Sequence, residues 1–437
     1  MGKTFTELSL GTDMQRVIQE LGFKNPTEIQ ERVIPAILND KSVIGQSRTG
    51  SGKSHAFLLP LFQKLDENQK KVQFVITAPT RELATQLYNE VRKIITIADK
   101  TEDWTAKLLV GGTDKQKAVE KLKTPPMIVV GTPGRILDLV KDGALSVYSA
   151  ESFVIDEADL MLDLGFIEEV DQLLVRSKQD IQLLVFSATI PQRLQHFFKK
   201  YLKNPEYIKM EEHFSPEAME HRLIRKKHRD VAQIIWDISQ TTHPYLALIF
   251  TNGKEQANEL ADKLQEYGLN VGVIHGGLTP RERKRVLKDI QQLRYQYVVA
   301  TDLASRGIDI KGISHVINAQ LPKEEHFYIH RVGRTARAGL EGTAVSIYSE
   351  EDARLIERLE QKGLEFSFME VKQGDWIEDK SWNERQRRKT VDTSTDREAW
   401  KRVKKAKKVK PGYKKKQKYQ QQQIKRQLNK EQNRKKR

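Results

Sequence analysis

Two short stretches carry most of the chemistry that the residues alone reveal. The first, Gln46-Ser47-Arg48-Thr49-Gly50-Ser51-Gly52-Lys53-Ser54, follows an apolar run and precedes a helical pattern. Small residues and two glycines there let backbone N–H groups close around phosphate oxygens. The positive end of the following helix favours the same anion. Lys53 can reach β- and γ-phosphates, and the Ser54 hydroxyl can ligate Mg²⁺. The fit to G-x-x-x-x-G-K-[ST] is imperfect, because Ser47 holds the first glycine position. A plain structural turn is the alternative. The second stretch, Asp156-Glu157-Ala158-Asp159, ends another apolar run about a hundred residues on. A carboxylate at the C-terminal end of a strand lies in the ligand crevice of an open α/β sheet. Asp156 suits a hydrated Mg²⁺, and Glu157 is placed to orient or deprotonate an attacking water. Alone, such an acidic loop reads as a helix cap. Paired with Lys53-Ser54 on an earlier strand of the same sheet, it reads as the other half of a nucleotide site. Upstream, Gln30 offers the acceptor and donor that an adenine edge needs, and Phe23 offers a face for stacking. The bland alternative there is a turn before a helix.

These residues need strands to hold them. Between 41 and 210 the runs 42–45, 74–77, 107–110, 127–130, 153–155 and 183–186 read as buried strands, with helical patterns such as 81–97 between them. Apolar runs without polar alternation suit a parallel sheet covered on both faces. After a polar break the pattern restarts, with strands expected at 246–250, 270–274, 297–300, 313–318 and 343–348 and helices at 254–267 and 281–292. The expected organisation is therefore two tandem α/β, parallel-sheet domains: 1–210 binding ATP, a linker at 211–220, a second domain at 221–370, and an extension with a basic tail at 371–437.

The net charge of +16 is unevenly placed. Residues 401–437 hold about 18 Lys or Arg and one acid, Glu431, which leaves the remainder near neutral. Such a run, with few apolar residues, is expected to be disordered or to form a helix only on binding. Tyr413 and Tyr419 within it could stack on bases, so the tail reads as a sequence-independent nucleic-acid anchor. The alternative is a solvated tail that aids solubility. With no cysteine in the chain, disulfides and thiolate chemistry are excluded. No apolar run reaches the ~18 residues of a membrane span, and the start shows no signal-peptide pattern. A cytoplasmic protein without a membrane partner is expected.

The ordered set of motifs resembles the DEAD-box family of superfamily 2 RNA helicases. Asp156 to Asp159 matches the name-giving tetrapeptide, and Phe23 to Gln30 the adenine-reading Q motif, with Phe5 as its isolated upstream aromatic. The resemblance implies two RecA-like domains of the P-loop NTPase type, ATP as substrate with Mg²⁺, and RNA as partner. It implies RNA-backbone contacts at Pro79, Thr80, Arg81, Gly112, Thr132, Pro133, Gly134 and Arg135 in the first domain. In the second it implies Thr251, Arg283, Thr301 and Arg306, with Asp309 at the ribose. Ser187 and Thr189 match the motif that links hydrolysis to strand separation. Arg334 and Arg337, in the stretch opened by His330, match arginines that cross to the transferring phosphoryl group. Pro280 departs from the family's glutamine, while Arg283 keeps its arginine. The expected function is ATP-dependent unwinding or remodelling of RNA. Ribosomal precursors, messenger RNA under cold stress and decay complexes remain candidate targets. An RNA clamp that unwinds little, a DNA translocase, and a tail-driven RNA chaperone are the competing readings.

Overall fold

The computed structural model describes residues 3–47, 50–112, 114–210, 219–302, 310, 312–335, 342–380 and Ile424, the side chain of Pro280 excepted. Arg48, Thr49, Arg306, Asp309, Arg337 and the basic tail apart from Ile424 lie outside these residues.

The first lobe opens with a 3-10 turn at Phe5–Leu8 and helices α1 (Thr12–Glu20) and α2 (Glu28–Leu38). It continues through β1 (Val43–Gln46), α3 (Lys53–Gln63), β2 (Phe74–Thr77), α4 (Arg81–Ile97), β3 (Ala106–Leu109) and α5 (Lys115–Glu120). Then come β4 (Ile128–Gly131), α6 (Pro133–Lys141), β5 (Ser152–Ile155), α7 (Ala158–Asp163) and α8 (Ile167–Val175). It closes with β6 (Gln182–Ser187), α9 (Gln192–Tyr201) and β7 (Glu206–Lys209). Among the described residues the strands form one parallel sheet in the order β3-β4-β2-β5-β6-β1-β7.

The residue pattern explains the layering. Successive strand side chains point to opposite faces. Ile128 and Val130 pack into the core on one face, and Val129 into the core on the other. Both faces are covered by helices, so the strands read as unbroken apolar runs. The order also brings distant residues together. β5, β6 and β1 are neighbours, so the loops after Ile155, Ser187 and Gln46 meet at one end of the sheet.

The second lobe contains β8 (Met219–Arg225), α10 (Val231–Thr241), β9 (Ala247–Thr251), α11 (Lys254–Glu266), β10 (Val271–Ile274) and α12 (Pro280–Gln291). It adds β11 (Tyr297–Thr301), β12 (His315–Asn318), α13 (Glu325–Val332), β13 (Gly342–Tyr348) and α14 (Ala353–Gln361). The parallel part of its sheet runs β10-β11-β9-β12-β13-β8. The chain then forms β14 (Ser367–Lys372) and β15 (Asp375–Glu378).

The two sheets match the two parallel-sheet domains expected from the sequence. Three differences stand out. β7 was not expected, and neither were β14 and β15. Met219 and Glu220, placed in the linker, begin β8 instead. Among the described residues no helix is long and apolar enough to cross a membrane.

Candidate nucleotide and RNA site

The loop from β1 to α3 is held from three sides. Ser47 N donates to Ser187 O at 3.0 Å, on the neighbouring strand. The hydroxyls of Ser47 and Ser51 lie 2.9 Å apart. Gly52 has φ +94°, a conformation that side chains rarely adopt, and a Cβ there would sit 2.8 Å from both Gln30 Nε2 and Thr27 Oγ1. The upstream turn is thus packed directly on the phosphate loop. Gln30 accepts from Thr27 N at 2.9 Å and donates to Gly52 O at 3.2 Å. Its carboxamide fastens the turn to the loop. Gln46, expected at the nucleotide, donates to Ala188 O and accepts from Tyr207 Oη at 2.6 Å, so it ties β1 to its two neighbours.

Lys53 lies at the floor, 6% exposed, donating to Ser47 O at 3.1 Å and Glu157 Oε1 at 3.3 Å. Burial opposes its charge, but Glu157, Asp156 and Asp159 outweigh it and hold its pKa above the usual lysine range. Asp156, 5% exposed, has an Oδ1 with no hydrogen-bond partner. Burial, reinforced by the Glu157 charge, pushes its carboxyl up to about 7. A buried anionic oxygen with no donor is costly. The chemistry of this donor fits a hydrated Mg²⁺, with the half-buried Ser54 hydroxyl at the start of α3 as the other candidate protein ligand.

Asp159, 1% exposed, joins the two lobes. Its backbone N donates to Ser187 Oγ at 3.0 Å, and its Oδ2 accepts from Thr189 N and Oγ1 at 2.9 and 2.8 Å. Ser187 Oγ in turn donates to Thr189 O at 2.8 Å. His330 Nε2, from α13 of the second lobe, lies 3.4 Å from the same Oδ2. Burial alone would raise the Asp159 carboxyl, but His330, Lys53 and Thr189 together hold it well below the usual carboxylate range. Arg331, the next residue, is 2% exposed. It donates to Asp302 Oδ1 at 2.5 Å and Oδ2 at 2.7 Å, Asn252 Oδ1 at 2.8 Å, Asn318 Oδ1 at 3.2 Å and Gln320 O at 2.6 Å. The loops after β9, β11 and β12 are thereby fixed to the helix whose His330 touches Asp159. Arg334 is buried just beyond that helix.

The first lobe matches the DEAD/DEAH box helicase family over residues 27–197, and the second matches the helicase conserved C-terminal domain over 226–339. The chain is 52% identical to the DEAD-box ATP-dependent RNA helicase CshB of Bacillus subtilis, covering 96% of this chain and 95% of that one. It belongs to the DEAD-box ATP-dependent RNA helicases. The CshB of Listeria monocytogenes is 47% identical over 94% of both chains. Among solved structures, Saccharomyces cerevisiae Dbp5 bound to RNA and ADP BeF3 superposes with a TM-score of 0.74 at 29% identity, covering 84% of this chain and 95% of that one. The DEAD-box helicase Mss116 bound to ssRNA and UDP-BeF gives 0.75 at 28% identity, covering 84% and 80%.

In this DEAD-box helicase the residues expected at RNA fall into two groups. Pro79 is buried and Thr80 caps α4, accepting from Leu83 N at 3.2 Å. Arg81 is exposed and lies across Gly112 (φ +77°), where a Cβ would come within 2.4 Å of Nη1. Thr132 precedes α6, Pro133 begins it, Gly134 has open space around it, and Arg135 is half-buried. In the second lobe, Thr251 and Thr301 end β9 and β11 and are buried. A cleft of about 480 Å³ between the lobes is lined by Asp163, Asn252, Lys254, Gly277 and Thr301. Arg283, also expected at RNA, has its Nε donating to Glu82 Oε1 at 2.6 Å, which joins α12 to α4. The sequence assigned no role to Glu82, Asp159 or His330. Asp159 and His330 stand inside quoted motifs, yet nothing in their spacing says that they meet.

Proposed function

We propose that this helicase hydrolyses ATP only when RNA and nucleotide draw the two lobes together, and that closure separates short RNA duplexes or remodels RNA–protein complexes. The observation that carries this is Asp159, whose one carboxylate oxygen lies against Thr189 of the first lobe and His330 of the second. A carboxylate bonded by Thr189 of its own lobe and 3.4 Å from a histidine of the other is a contact that exists only when the lobes meet, and its neighbours Asp156 and Glu157 face the Lys53 ammonium.

Lys53 and the backbone of the Gly50–Gly52 loop bind the phosphates, and Glu157 orients the attacking water and takes its proton. Asp156 and Ser54 would hold Mg²⁺, which supplies charge neutralisation on the β- and γ-phosphates when bound. Arg334, with Arg337, adds positive charge from the second lobe, and such a residue contributes on the order of 10³–10⁵ in rate. Phe23 and Gln30 form the base end of the pocket, and Asp309 the ribose contact. RNA crosses Thr80, Arg81, Gly112, Thr132, Gly134 and Arg135, then Thr251, Thr301 and Arg306. Such contacts hold the backbone and do not read sequence. The basic tail tethers RNA nearby and raises its local concentration. We place the protein in the cytoplasm, acting in ribosome biogenesis, RNA decay or cold adaptation.

Steady-state ATP hydrolysis with single-stranded RNA, matched DNA or neither tests this. Strong stimulation by RNA alone is expected. Equal stimulation by DNA, or none by either, would overturn it.

A further inference from the structure

The phosphate-binding helix α3 opens with Lys53-Ser54 and continues into a residue that the phosphate motif leaves unused. His55 has a side chain only 15% exposed. Its ring centroid lies 4.8 Å from that of Phe23, the planes nearly perpendicular at 79°. Its Nε2 lies 3.4 Å from Glu90 Oε2, on α4. That nitrogen is buried and makes no hydrogen bond of good geometry, but the imidazole beside the Glu90 carboxyl holds it below its usual range, against the effect of burial. Phe23 itself sits in the turn after α1, half-buried, and stacks on the buried Phe5 at 6.4 Å and 22°. The turn therefore takes its ring contacts from two other elements, the N-terminal 3-10 turn and the phosphate-binding helix.

We propose that His55, packed edge-on against Phe23 and beside Glu90, is a positioning residue for nucleobase recognition: its ring fixes Phe23 in the orientation that stacks on adenine. The helix that receives the phosphates then also sets the platform for the base. The inference rests on Phe23 being the stacking residue. Perpendicular aromatic pairs have a preferred geometry. Alanine at position 55 removes it and frees the Phe23 ring to turn, whereas phenylalanine keeps a perpendicular partner. His55 touches no reacting atom, so the effect falls on KM for ATP and not on kcat.

The test uses the full chain at saturating RNA with ATP varied. His55→Ala raises KM about three- to tenfold, the size of one aromatic pair, with kcat within about twofold of the parent. His55→Phe, which keeps the perpendicular ring but loses the Glu90 contact, restores most of KM. Phe23→Leu raises KM as well, and adding His55→Ala to it raises KM no further, because the two act through one contact. Glu90→Gln, at a more exposed position, raises KM in the same direction and serves if His55→Ala lowers the melting temperature. If Phe23→Leu raises KM but His55→Ala does not, or if their effects multiply, His55 does not act through Phe23 and the proposal falls. A loss confined to kcat would place His55 in the geometry of the phosphate loop and also overturn it. An unchanged KM in Phe23→Leu would mean that Phe23 is no base platform, and the inference would fail at that earlier step.

Discussion

Breaking the Glu82–Arg283 pair separates two uses of one arginine. Position 283 is expected to touch RNA, and the structure shows its Nε bonded to a carboxylate on the opposite lobe. The pair is short, 2.6 Å, with side chains 15% and 23% exposed. An exposed ion pair contributes about 0–1 kcal/mol, and a buried charge-assisted hydrogen bond about 1.5–3 kcal/mol. Partial burial places this one at about 1–2 kcal/mol, a factor of roughly 5–30 in the equilibrium between open and closed lobes. The chain has no cysteine, so one introduced on each lobe can carry a donor and an acceptor dye. Closure is then read by energy transfer at saturating RNA and a non-hydrolysable nucleotide. Arg283→Ala and Glu82→Ala each lower the closed fraction and the RNA-stimulated ATPase. The double variant is no worse than the more damaged single one, because both remove the same interaction. If Arg283→Ala is as damaging in the Glu82→Ala background as in the parent, the arginine works on RNA and the interlobe assignment is wrong.

Three further outcomes follow from particular residues. Glu157→Gln keeps an acceptor for Lys53 but cannot take a proton; kcat should fall by about 10²–10⁴ while ATP still binds, and full activity would refute its role. Deleting 401–437 should weaken RNA binding and flatten its salt dependence, by a slope of about 0.7 for each phosphate that the tail neutralises; unchanged affinity would refute the tether. His221 is buried beside Tyr328 Oη at 3.0 Å, and burial lowers its pKa to about 4. The unfolded chain therefore binds a proton near pH 6.5 that the folded chain refuses until about pH 4. Stability is complete above about pH 6.5 and declines by about 3 kcal/mol as pH falls to about 4, which denaturant titrations at several pH values would measure. An NMR titration that places His221 near 6.5 would remove the prediction.

The parts of the fold that were legible are those where burial is uniform. β1, β2, β4, β5 and β6 are buried at every position, so their sequences are apolar runs bounded by turns. β8 is different: Met219-Glu220-His221-Arg222-Leu223-Ile224-Arg225 alternates buried and less buried positions. Its polar side chains are satisfied by tertiary partners, His221 by Tyr328 and Arg222 by Glu220 and the face of Trp376. Before folding those partners are invisible: its first two residues read as part of the polar break at 211–220, and no strand is expected over the rest. β7 is short, with one buried residue of four, and gives no periodic signal. At the site, Lys53 and Glu157 could be placed because each ends or follows a recognisable strand. Gln30 could not be fully read. Its donor and acceptor were legible as chemistry, but their use on Thr27 and Gly52 depends on how closely the turn packs against the loop.

The electrostatics explain why the site needs its substrate complex. Asp156, Glu157 and Asp159 are all nearly buried, and Lys53 is the cation that their charges most directly support. Asp159 is already bonded by Thr189, with His330 Nε2 3.4 Å away. Glu157 takes the Lys53 ammonium. Asp156 is left with an unpartnered oxygen and a carboxyl pushed up to about 7. Triphosphate brings more negative charge into the same loop, so its binding cannot relieve Asp156 and must be accompanied by further positive charge. Part of that charge can come from a divalent ion, part from Arg334 across the cleft. A pocket that leaves one carboxyl oxygen unpartnered and its pKa raised gains most when nucleotide, metal and second lobe arrive together. Under the proposed mechanism, that dependence couples hydrolysis to closure of the two lobes.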